Sequence, residues 1–285
     1  MEKIAIMVDS GADITPDLAK EKGIYYLPLY VNIGGDFLKD RIDISPDEFY
    51  SYIKKEGDRA KTSLPAPGDI MELIEEIKND GYDKLIMITI GSNFSGTFNL
   101  CDMIEANGIE TYAFDSKNLT MAEGFLALYA KDLIDQGKSF KEVKEGLEKA
   151  RENSRVFFTL ESLKYIVEGG RVPKTFSKLS DALNVKPLIT VNPEEGKFKL
   201  MKIVRGEKRI FKQFHKIAKE YLEDAKNYYI FIGDGDSNDM ADKLEDTLKE
   251  FIDGASLFIK GQISPTLGAN TGPGLFGFAF LKITN

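Results

Sequence analysis

The sequence predicts an α/β protein, because segments typical of strands and of helices alternate along its 285 residues. Three observations support this class: apolar runs typical of buried strands, helical spacing of apolar residues between those runs, and polar turns where the runs end. We expect a mainly parallel sheet flanked by helices in the N-terminal half and a mixed sheet in the C-terminal half. The polar stretch at residues 152–154 predicts a boundary between two domains, which would cover residues 1–152 and 153–285.

In the N-terminal half, three apolar runs predict parallel strands at residues 4–8, 85–90 and 110–114. Apolar residues at 70, 73, 74 and 77 have helical spacing, and those at 140, 143, 147 and 150 mark a later helix. Each predicted strand leads into a turn that contains serine. Because the carboxyl ends of parallel strands lie at one edge of a sheet, these turns are expected to meet around a ligand crevice.

The turn at residues 91–97 is the strongest candidate for a ligand site. It contains two serines, an asparagine and a threonine, and apolar residues resume at Phe98 in a pattern that predicts a helix. Backbone N–H groups, hydroxyls and a helix N-terminus can together bind an anion. Since the turn contains neither Lys nor Arg, a carboxylate fits at least as well as a polyphosphate. Simple capping of the helix is the alternative interpretation.

The C-terminal half is expected to contain a second set of strands. They are predicted at residues 155–160, 187–191, 197–204, 228–233 and 255–260. A turn at residues 192–196 separates the second from the third, so these two are expected to form a hairpin. Leu244, Leu248, Phe251 and Ile252 mark a helix between the last two strands.

Two motifs suggest ligands that their context does not favour. Residues 234–239 begin like a calcium-binding loop, but Asp239 stands where the sharp turn requires glycine. A strand-to-helix turn with an Asp or Asn N-cap is the better interpretation. Residues 272–277 satisfy the dinucleotide pattern G-x-G-x-x-G, yet too few residues follow to form a βαβ unit. Their glycines instead indicate close approach of the backbone to a ligand or to another strand.

The charged residues suggest no catalytic centre. His215 is the single histidine and lies beside the apolar stripe of a predicted helix, where a solvated residue is expected. A Ser-His-Asp triad and a histidine metal site are therefore not predicted. Arg171 lies in a turn between two glycines and a Val-Pro pair, so its position is constrained and it could bind an anion. Arg205 is a weaker candidate for the same role.

Composition limits the cellular setting. The net charge of −8 argues against a nucleic-acid-binding protein and against adhesion to anionic membranes. We recognise neither an apolar run of transmembrane length nor a signal peptide. Cys101 is the only cysteine, so no disulfide framework is expected. These observations predict a cytoplasmic protein without a membrane span.

Seven short motifs follow one another along the chain in an order that resembles the DegV family of fatty-acid-binding proteins. They are Val8-Asp9-Ser10, Thr62-Ser63-Leu64-Pro65-Ala66-Pro67, Gly91-Ser92-Asn93-Phe94-Ser95-Gly96-Thr97, Phe114-Asp115-Ser116, the stretch from Leu163 to Val172, Leu183-Asn184-Val185-Lys186-Pro187-Leu188 and Gly268-Ala269-Asn270-Thr271-Gly272-Pro273-Gly274. Members of this family are related to the binding subunit of bacterial fatty acid kinase. The resemblance extends from end to end of the chain.

The resemblance implies a DegV-like fold of two α/β domains, with one long-chain fatty acid such as palmitate between them. It implies that Thr62 and Ser95 hold the carboxylate. The full set of candidate binding residues adds Ser63, Ser92, Gly96, Arg171, Asn270, Thr271 and Gly272. The resemblance also implies a protein without catalytic residues, cofactor or metal. Such a protein would present its fatty acid to a separate kinase and so serve phospholipid metabolism.

At two positions the chain departs from the family pattern. Asn270 stands where the family usually has His, and Gly91 where it often has Ser. Asparagine can donate a hydrogen bond to a carboxylate but cannot become positively charged. The Asn270 departure therefore preserves lipid binding and weakens any role of this position in stabilising an acyl phosphate.

Two other functions stay open at the level of the sequence. The first is an enzyme that acts on a small phosphorylated or carboxylated metabolite at the sheet edge. Such an enzyme should show an acid–base pair, and His215 is poorly placed for one. The second is a nucleotide-binding module built on the glycine motifs, for which a cationic phosphate loop is missing from the sequence.

Overall fold

The computed structural model describes residues 2–57, 60–172, 176 and 185–284, and within them the predicted α/β class is confirmed. Three motif residues singled out in the sequence lie outside the described part, namely Pro173, Leu183 and Asn184.

Strands and helices alternate through most of the described chain. Its strands are β1 (Ile4–Asp9), β2 (Tyr25–Leu27), β3 (Tyr30–Ile33), β4 (Asp36–Lys39), β5 (Lys61–Ser63), β6 (Lys84–Thr89), β7 (Glu110–Asp115), β8 (Ser154–Thr159), β9 (Val185–Asn192), β10 (Lys197–Arg205), β11 (Tyr228–Gly235), β12 (Leu257–Gln262) and β13 (Leu275–Lys282). Its α-helices are α1 (Pro16–Lys22), α2 (Pro46–Glu56), α3 (Pro67–Asn79), α4 (Thr97–Asp102), α5 (Met121–Asp135), α6 (Phe140–Arg151), α7 (Lys164–Gly169), α8 (Glu207–Leu222), α9 (Asn238–Asp253) and α10 (Pro265–Thr271).

The first sheet is parallel and has the strand order β2-β1-β6-β7. The three strands predicted from apolar runs in the N-terminal half are therefore confirmed as neighbours. Helices α3 and α4 cover one face of this sheet, and α1 and α5 cover the other. Burial on both faces explains why these strands are continuous apolar runs rather than alternating ones.

The second sheet is mixed and has the order β10-β9-β8-β13-β11-β12. Only the β11–β12 pair is parallel among these neighbours, and the predicted β9–β10 hairpin is confirmed as antiparallel. Helices α8 and α9 pack on one face, while the other face shares a core with α5. Strand β13 lies between β8 and β11, although the sequence indicated only a glycine motif at its start.

Helix α5 lies between the two sheets and joins their cores. Phe125 and Leu126 are fully buried, as are most other residues of this helix. The same apolar cluster includes Val8 from the first sheet and Val156 from the second. A helix that is apolar on nearly all sides is stable only when it is buried all round. The predicted domain boundary after residue 152 falls just after the end of α6. One apolar core contains residues from both sides of this boundary, so the division into two domains stays a prediction.

A small antiparallel sheet of order β4-β3-β5 was not predicted. Its strands have three or four residues each and are partly exposed, so they lack a clear apolar pattern. Strand β5 carries the candidate binding residues Thr62 and Ser63.

The turn at residues 234–239 leads from strand to helix, as predicted. In detail the prediction was wrong, since Ser237 rather than an Asp or Asn occupies the N-cap position of α9. The carboxylate of Asp234 accepts a hydrogen bond of 2.8 Å from the Ser237 backbone N–H. The aspartate thus serves the local backbone of this turn.

Glycine 277 confirms the expected close approach of two strands. It pairs with Phe158 of β8, and a Cβ at this glycine would collide with the Phe157 carbonyl oxygen and lie 2.6 Å from the Phe158 Cβ. A backbone carbonyl in a sheet cannot move aside cheaply. Glycine is therefore required in the centre of β13.

Replacing Gly277 by alanine should destabilise the protein by about 3 kcal/mol or more, because the added methyl group overpacks the β8–β13 pair. The free energy of unfolding from urea titration measures the effect. Gly68→Ala in α3 is the control, since no atom lies within 4 Å of its Cβ position. It should be neutral or stabilise by up to about 1 kcal/mol. Equal stability of the Gly277→Ala variant and the wild type would contradict the strand register.

Candidate ligand-binding site

A cavity of about 250 Å³ lies where the turn after β6 approaches β5 and α10. Hydroxyl and amide groups occupy part of its wall, and apolar side chains occupy the rest. Its described lining consists of Leu29, Thr62, Ser63, Leu64, Ile90, Phe94, Ser95, Gly96, Leu119, Ile166, Arg171, Phe198, Thr266, Leu267, Asn270 and Thr271. Residues from both halves of the chain therefore build one site.

Most of the candidate binding residues line this cavity. They are Thr62, Ser63, Ser95, Gly96, Arg171, Asn270 and Thr271. Ser92 and Gly272 do not line it. The Ser92 hydroxyl and N–H donate to the two carboxylate oxygens of Asp115 at 2.6 and 3.0 Å, so its polar groups serve the turn. Gly272 ends α10, and a Cβ there would collide with the Tyr165 ring.

The turn after β6 is held by hydrogen bonds to the neighbouring strand ends. The Asp9 carboxylate accepts from the N–H groups of Gly11 and Ile90, both at 2.8 Å. Gly91 donates to the Asn118 carbonyl at 2.8 Å, and a Cβ on Gly91 would lie 2.9 Å from the Asn118 nitrogen. This close packing gives a steric reason for glycine where the family often has serine.

Helix α4 contributes less to the site than the sequence suggested. It contains six residues, Thr97–Asp102, and so has fewer than two turns of aligned peptide dipoles. An anion at this turn would therefore depend on hydroxyl groups. The Ser95 hydroxyl is one of them, and it lies 2.8 Å from the Thr97 hydroxyl.

Helix α10 forms the opposite wall, and two buried carboxylates hold its first turn. Asp13 accepts from the Ser264 N–H at 2.8 Å, and Asp40 accepts from the Thr266 N–H at 3.3 Å. Arg41 forms an ion pair of 3.2 Å with Asp13. These contacts join α10, late in the chain, to segments near its start.

Thr266 is a cavity residue that the sequence did not indicate. Its side-chain oxygen is buried, lines the cavity and has no hydrogen-bond partner among the described residues. A buried hydroxyl without a partner is costly, so it is available to a polar ligand atom. No motif marked Thr266, because a threonine in the first turn of a helix is ordinary.

The side chains of Asn270 and Arg171 each donate hydrogen bonds to backbone carbonyls. The Asn270 amide donates to the Thr266 carbonyl at 3.2 Å, and its oxygen lies 2.8 Å from the Cβ position of Gly169. The absence of a side chain at Gly169 therefore makes room for residue 270. The Arg171 guanidinium donates to the carbonyls of Gly169 and Phe94, at 2.5 and 3.4 Å. Arg205 lies exposed on β10, outside the cavity lining.

A second, apolar chamber of about 30 Å³ adjoins the cavity. Leu119, Leu267 and Thr271 line both spaces. The rest of its described lining is Thr120, Val156, Phe158, Phe231, Gly233, Ile263, Leu275, Gly277 and Phe278. An apolar space against the mixed sheet thus lies directly beside the polar cavity.

Burial raises the pKa of several carboxyl groups beside the cavity. It raises the pKa of Asp9 to about 7 and that of Asp40 to about 6, and it raises the pKa of Asp13 as well. Burial and the nearby Asp9 also raise the pKa of Glu123, whose side-chain oxygens have no hydrogen-bond partner among the described residues. Water is excluded from this cluster, which disfavours the charged forms.

Two further observations concern the described part of the chain alone. Within it, no helix is long and apolar enough to cross a membrane. The same residues contain no group of three or more His, Cys, Asp or Glu side chains suited to a metal ion.

Fold and site define a class: an α/β protein with two main sheets around a shared helix, and a cavity lined by hydroxyl and apolar groups with an apolar chamber beside it. The chain belongs to the DegV family, since the family model described as DegV, an uncharacterised protein family, matches residues 3–282. A DegV domain-containing protein of Clostridium acetobutylicum is 36% identical over 99% of this chain and 100% of its own length.

Solved structures share the fold. A DegV family protein of Thermus thermophilus described by its fatty acid binding has a TM-score of 0.91, 25% identity, and coverage of 99% of this chain and 100% of its own. A fatty-acid-binding DegV protein of Bacillus subtilis has a TM-score of 0.89 and 24% identity over the same shares. A stearic-acid-binding protein of Eubacterium ventriosum has a TM-score of 0.83 and 24% identity, over 99% and 98% of the two chains.

Asp40→Asn should remove part of the pH dependence of stability. Burial raises the pKa of Asp40 from 3.8 to about 6 in the folded protein, so its contribution is greatest below 3.8 and is lost as the pH rises through 6. Between about pH 5 and pH 8, the free energy of unfolding of the wild type should fall relative to that of the variant, by roughly 1–3 kcal/mol. Denaturant titrations across this range measure the difference.

Glu142→Gln is the control for this prediction. Hydrogen bonds from Ser139 lower the pKa of Glu142 to about 2, so its contribution is constant above about pH 5. The control should therefore retain the wild-type slope. A parallel pH dependence in wild type and Asp40→Asn would show that Asp40 does not titrate in this range.

Proposed function

We propose that the protein binds one long-chain fatty acid, with the carboxylate at Thr62 and Ser95 and the acyl chain directed into the apolar chamber. One observation carries this proposal: the hydroxyl-lined cavity and the apolar chamber lie side by side and share Leu119, Leu267 and Thr271 as lining residues. A ligand that matches both spaces has a polar head and a long apolar tail. A fatty acid is the simplest molecule of that kind.

Neutral donors suit a carboxylate at the polar end. Thr62 and Ser95 supply hydroxyls from β5 and from the turn after β6, and Thr266 adds a third hydroxyl that lacks a partner among the described residues. Arg171 is the one cation among the described lining residues. Hydroxyls bind a carboxylate without the desolvation cost of burying a lysine or arginine.

The tail would supply most of the affinity. Burying about 14 methylene groups at ~0.8 kcal/mol each contributes on the order of 11 kcal/mol before ordering costs. The head group then mainly sets the orientation of the ligand. Because the apolar chamber measures about 30 Å³, an acyl chain requires its lining side chains to move apart.

The solved relatives support this choice of ligand. Their descriptions name stearic acid for the Eubacterium ventriosum protein, vaccenic acid for one from Ruminococcus gnavus and heptadecanoic acid for one from Eubacterium eligens. The two latter proteins match this chain with TM-scores of 0.84 and 0.82. An enzyme acting on a small metabolite is supported less well, because His215 lies on α8 beside Glu250 and not in the described cavity lining.

Protein expressed in bacteria should co-purify with close to one fatty acid per chain, detected by native mass spectrometry and lipid extraction. Thr62→Val combined with Ser95→Ala should weaken fatty acid binding, since each lost hydrogen bond to a charged group costs roughly 1.5–3 kcal/mol. Displacement of a fluorescent fatty acid measures the loss.

Thr247→Val combined with Ser256→Ala makes a matched control, because both hydroxyls lie outside the cavity lining and bond to backbone carbonyls. This control should bind like the wild type. Repeated failure to find lipid, together with no binding of added palmitate or oleate, would defeat the proposed function. Full affinity in the Thr62→Val, Ser95→Ala variant would instead move the head group elsewhere.

We further propose that this protein presents the bound carboxylate to a separate fatty acid kinase, with Arg171 as the cation nearest the head group. Asn270→His should then change fatty acid affinity by less than about threefold while increasing acyl phosphate formation, since an imidazolium offsets the added negative charge. Arg171→Ala should decrease it. The assay combines this protein, a bacterial fatty acid kinase and ATP, with hydroxylamine trapping of acyl phosphate.

Turnover that neither variant alters would remove the proposed roles of Arg171 and Asn270. Absence of turnover with every kinase tried would remove the partnership and leave a fatty-acid-binding protein.

A further inference from the structure

Three glycines lie side by side across the mixed sheet. Gly277 of β13 pairs with Gly233 of β11, and Gly233 pairs with Gly261 of β12. On the other side, Gly277 pairs with Phe158 of β8. We call Gly277, Gly233 and Gly261 the glycine row. It runs perpendicular to the strands, from the centre of the sheet to its edge strand β12.

The glycine row lies on the sheet face that is directed towards α5. Along β13 it alternates with Phe276 and Phe278, which belong to the core on the opposite face. Neighbouring residues on the α5 side include Phe231 and Ala279. Since side chains alternate between faces, three glycines in register leave a shallow trench on the α5 side. Two of them, Gly277 and Gly233, line the apolar chamber.

The ring of Phe231 covers this trench at Gly233 of β11 and extends towards Gly261 of β12. Its Cε1 atom lies 2.5 Å from the Cβ position of Gly233, and its Cε2 atom lies 3.6 Å from that of Gly261. The ring is 3% exposed and lines the chamber. It therefore fills the trench over Gly233 and extends to Gly261, while the chamber borders the glycine row at Gly277.

We propose that Phe231 limits the length of the bound acyl chain by filling the trench over Gly233 and Gly261. This inference rests on the proposed fatty acid binding and names the residue that selects chain length within that site. The acyl chain passes Leu119 and Leu267, reaches the glycine row at Gly277, and ends against the Phe231 ring where that ring lies over Gly233.

Removing the ring should lengthen the trench towards β12. One strand spacing is about 4.8 Å, which matches the length of about four methylene groups. Phe231→Ala should therefore shift the preferred chain by about two to four carbons towards longer acids. Adding Gly261→Ala to this variant should reverse part of the shift, because the new methyl group would occupy part of the space that removal of the ring had opened over β12.

The test incubates delipidated protein with an equimolar mixture of saturated fatty acids from lauric to arachidic acid. Retained lipid is then identified and counted by mass spectrometry. Phe231→Leu keeps more of the core volume and should give a smaller shift in the same direction if the alanine variant folds poorly. Phe280→Leu is the matched control, since Phe280 is equally buried but belongs to the core on the opposite face. Its chain-length distribution should equal that of the wild type.

A wild-type distribution in both Phe231→Ala and Phe231→Leu, with about one lipid per chain retained, would overturn the role of Phe231 and leave fatty acid binding intact. A similar shift in Phe280→Leu would also overturn it, because general loosening of the core would then explain the change. A wild-type protein that retains no fatty acid would overturn the proposed function, and this inference with it.

Discussion

The cavity depends on the hydrogen bonds that Asp13 and Asp40 accept from the backbone at the first turn of α10. These carboxylates come from the N-terminal half and accept hydrogen bonds from the N–H groups of Ser264 and Thr266. Helix α10 in turn carries Asn270 and other lining residues. These hydrogen bonds therefore fix one wall of the cavity against segments from the N-terminal half. Two buried carboxyl groups are costly, and the ion pair with Arg41 and the backbone donors offset that cost.

Polar groups near the cavity divide into those that build it and those that face it. Asp9, Asp115 and Ser92 bond to backbone or to each other and hold the turn after β6. Ser95 and Thr266 face the cavity itself. Both the hydroxyl and the N–H of Ser92 are bonded to Asp115, whereas the Ser95 hydroxyl contacts Thr97 and still lines the cavity. Serines that look equivalent in the sequence thus have different tasks.

The two sheets act as one body because α5 fills the space between them. Its apolar surface packs against both, so the core is continuous from Val8 to Val156. The apolar chamber begins beside the start of this helix, at Leu119 and Thr120, and reaches the glycine row on the mixed sheet. The proposed acyl slot therefore lies within this shared core. Its apolar part is a small gap in otherwise close-packed side chains.

The sequence by itself predicted the α/β class, strands β1, β6 and β7 and the β9–β10 hairpin, and its resemblance to the DegV family implied the candidate residues Thr62 and Ser95. These follow from local periodicity and from motifs, which need no knowledge of distant contacts. The tertiary structure decided that Ser92 serves the turn, that α4 is too short to act as an anion site, and that Thr266, Phe231 and Gly233 line the cavities. Sequence patterns also did not predict β3, β4, β5 or β13. Partial exposure obscures the pattern of the three short strands, and Gly277 interrupts that of β13. The lining of a slot is set by which segments meet, and ordinary core residues carry no local mark of the cavity that they will enclose.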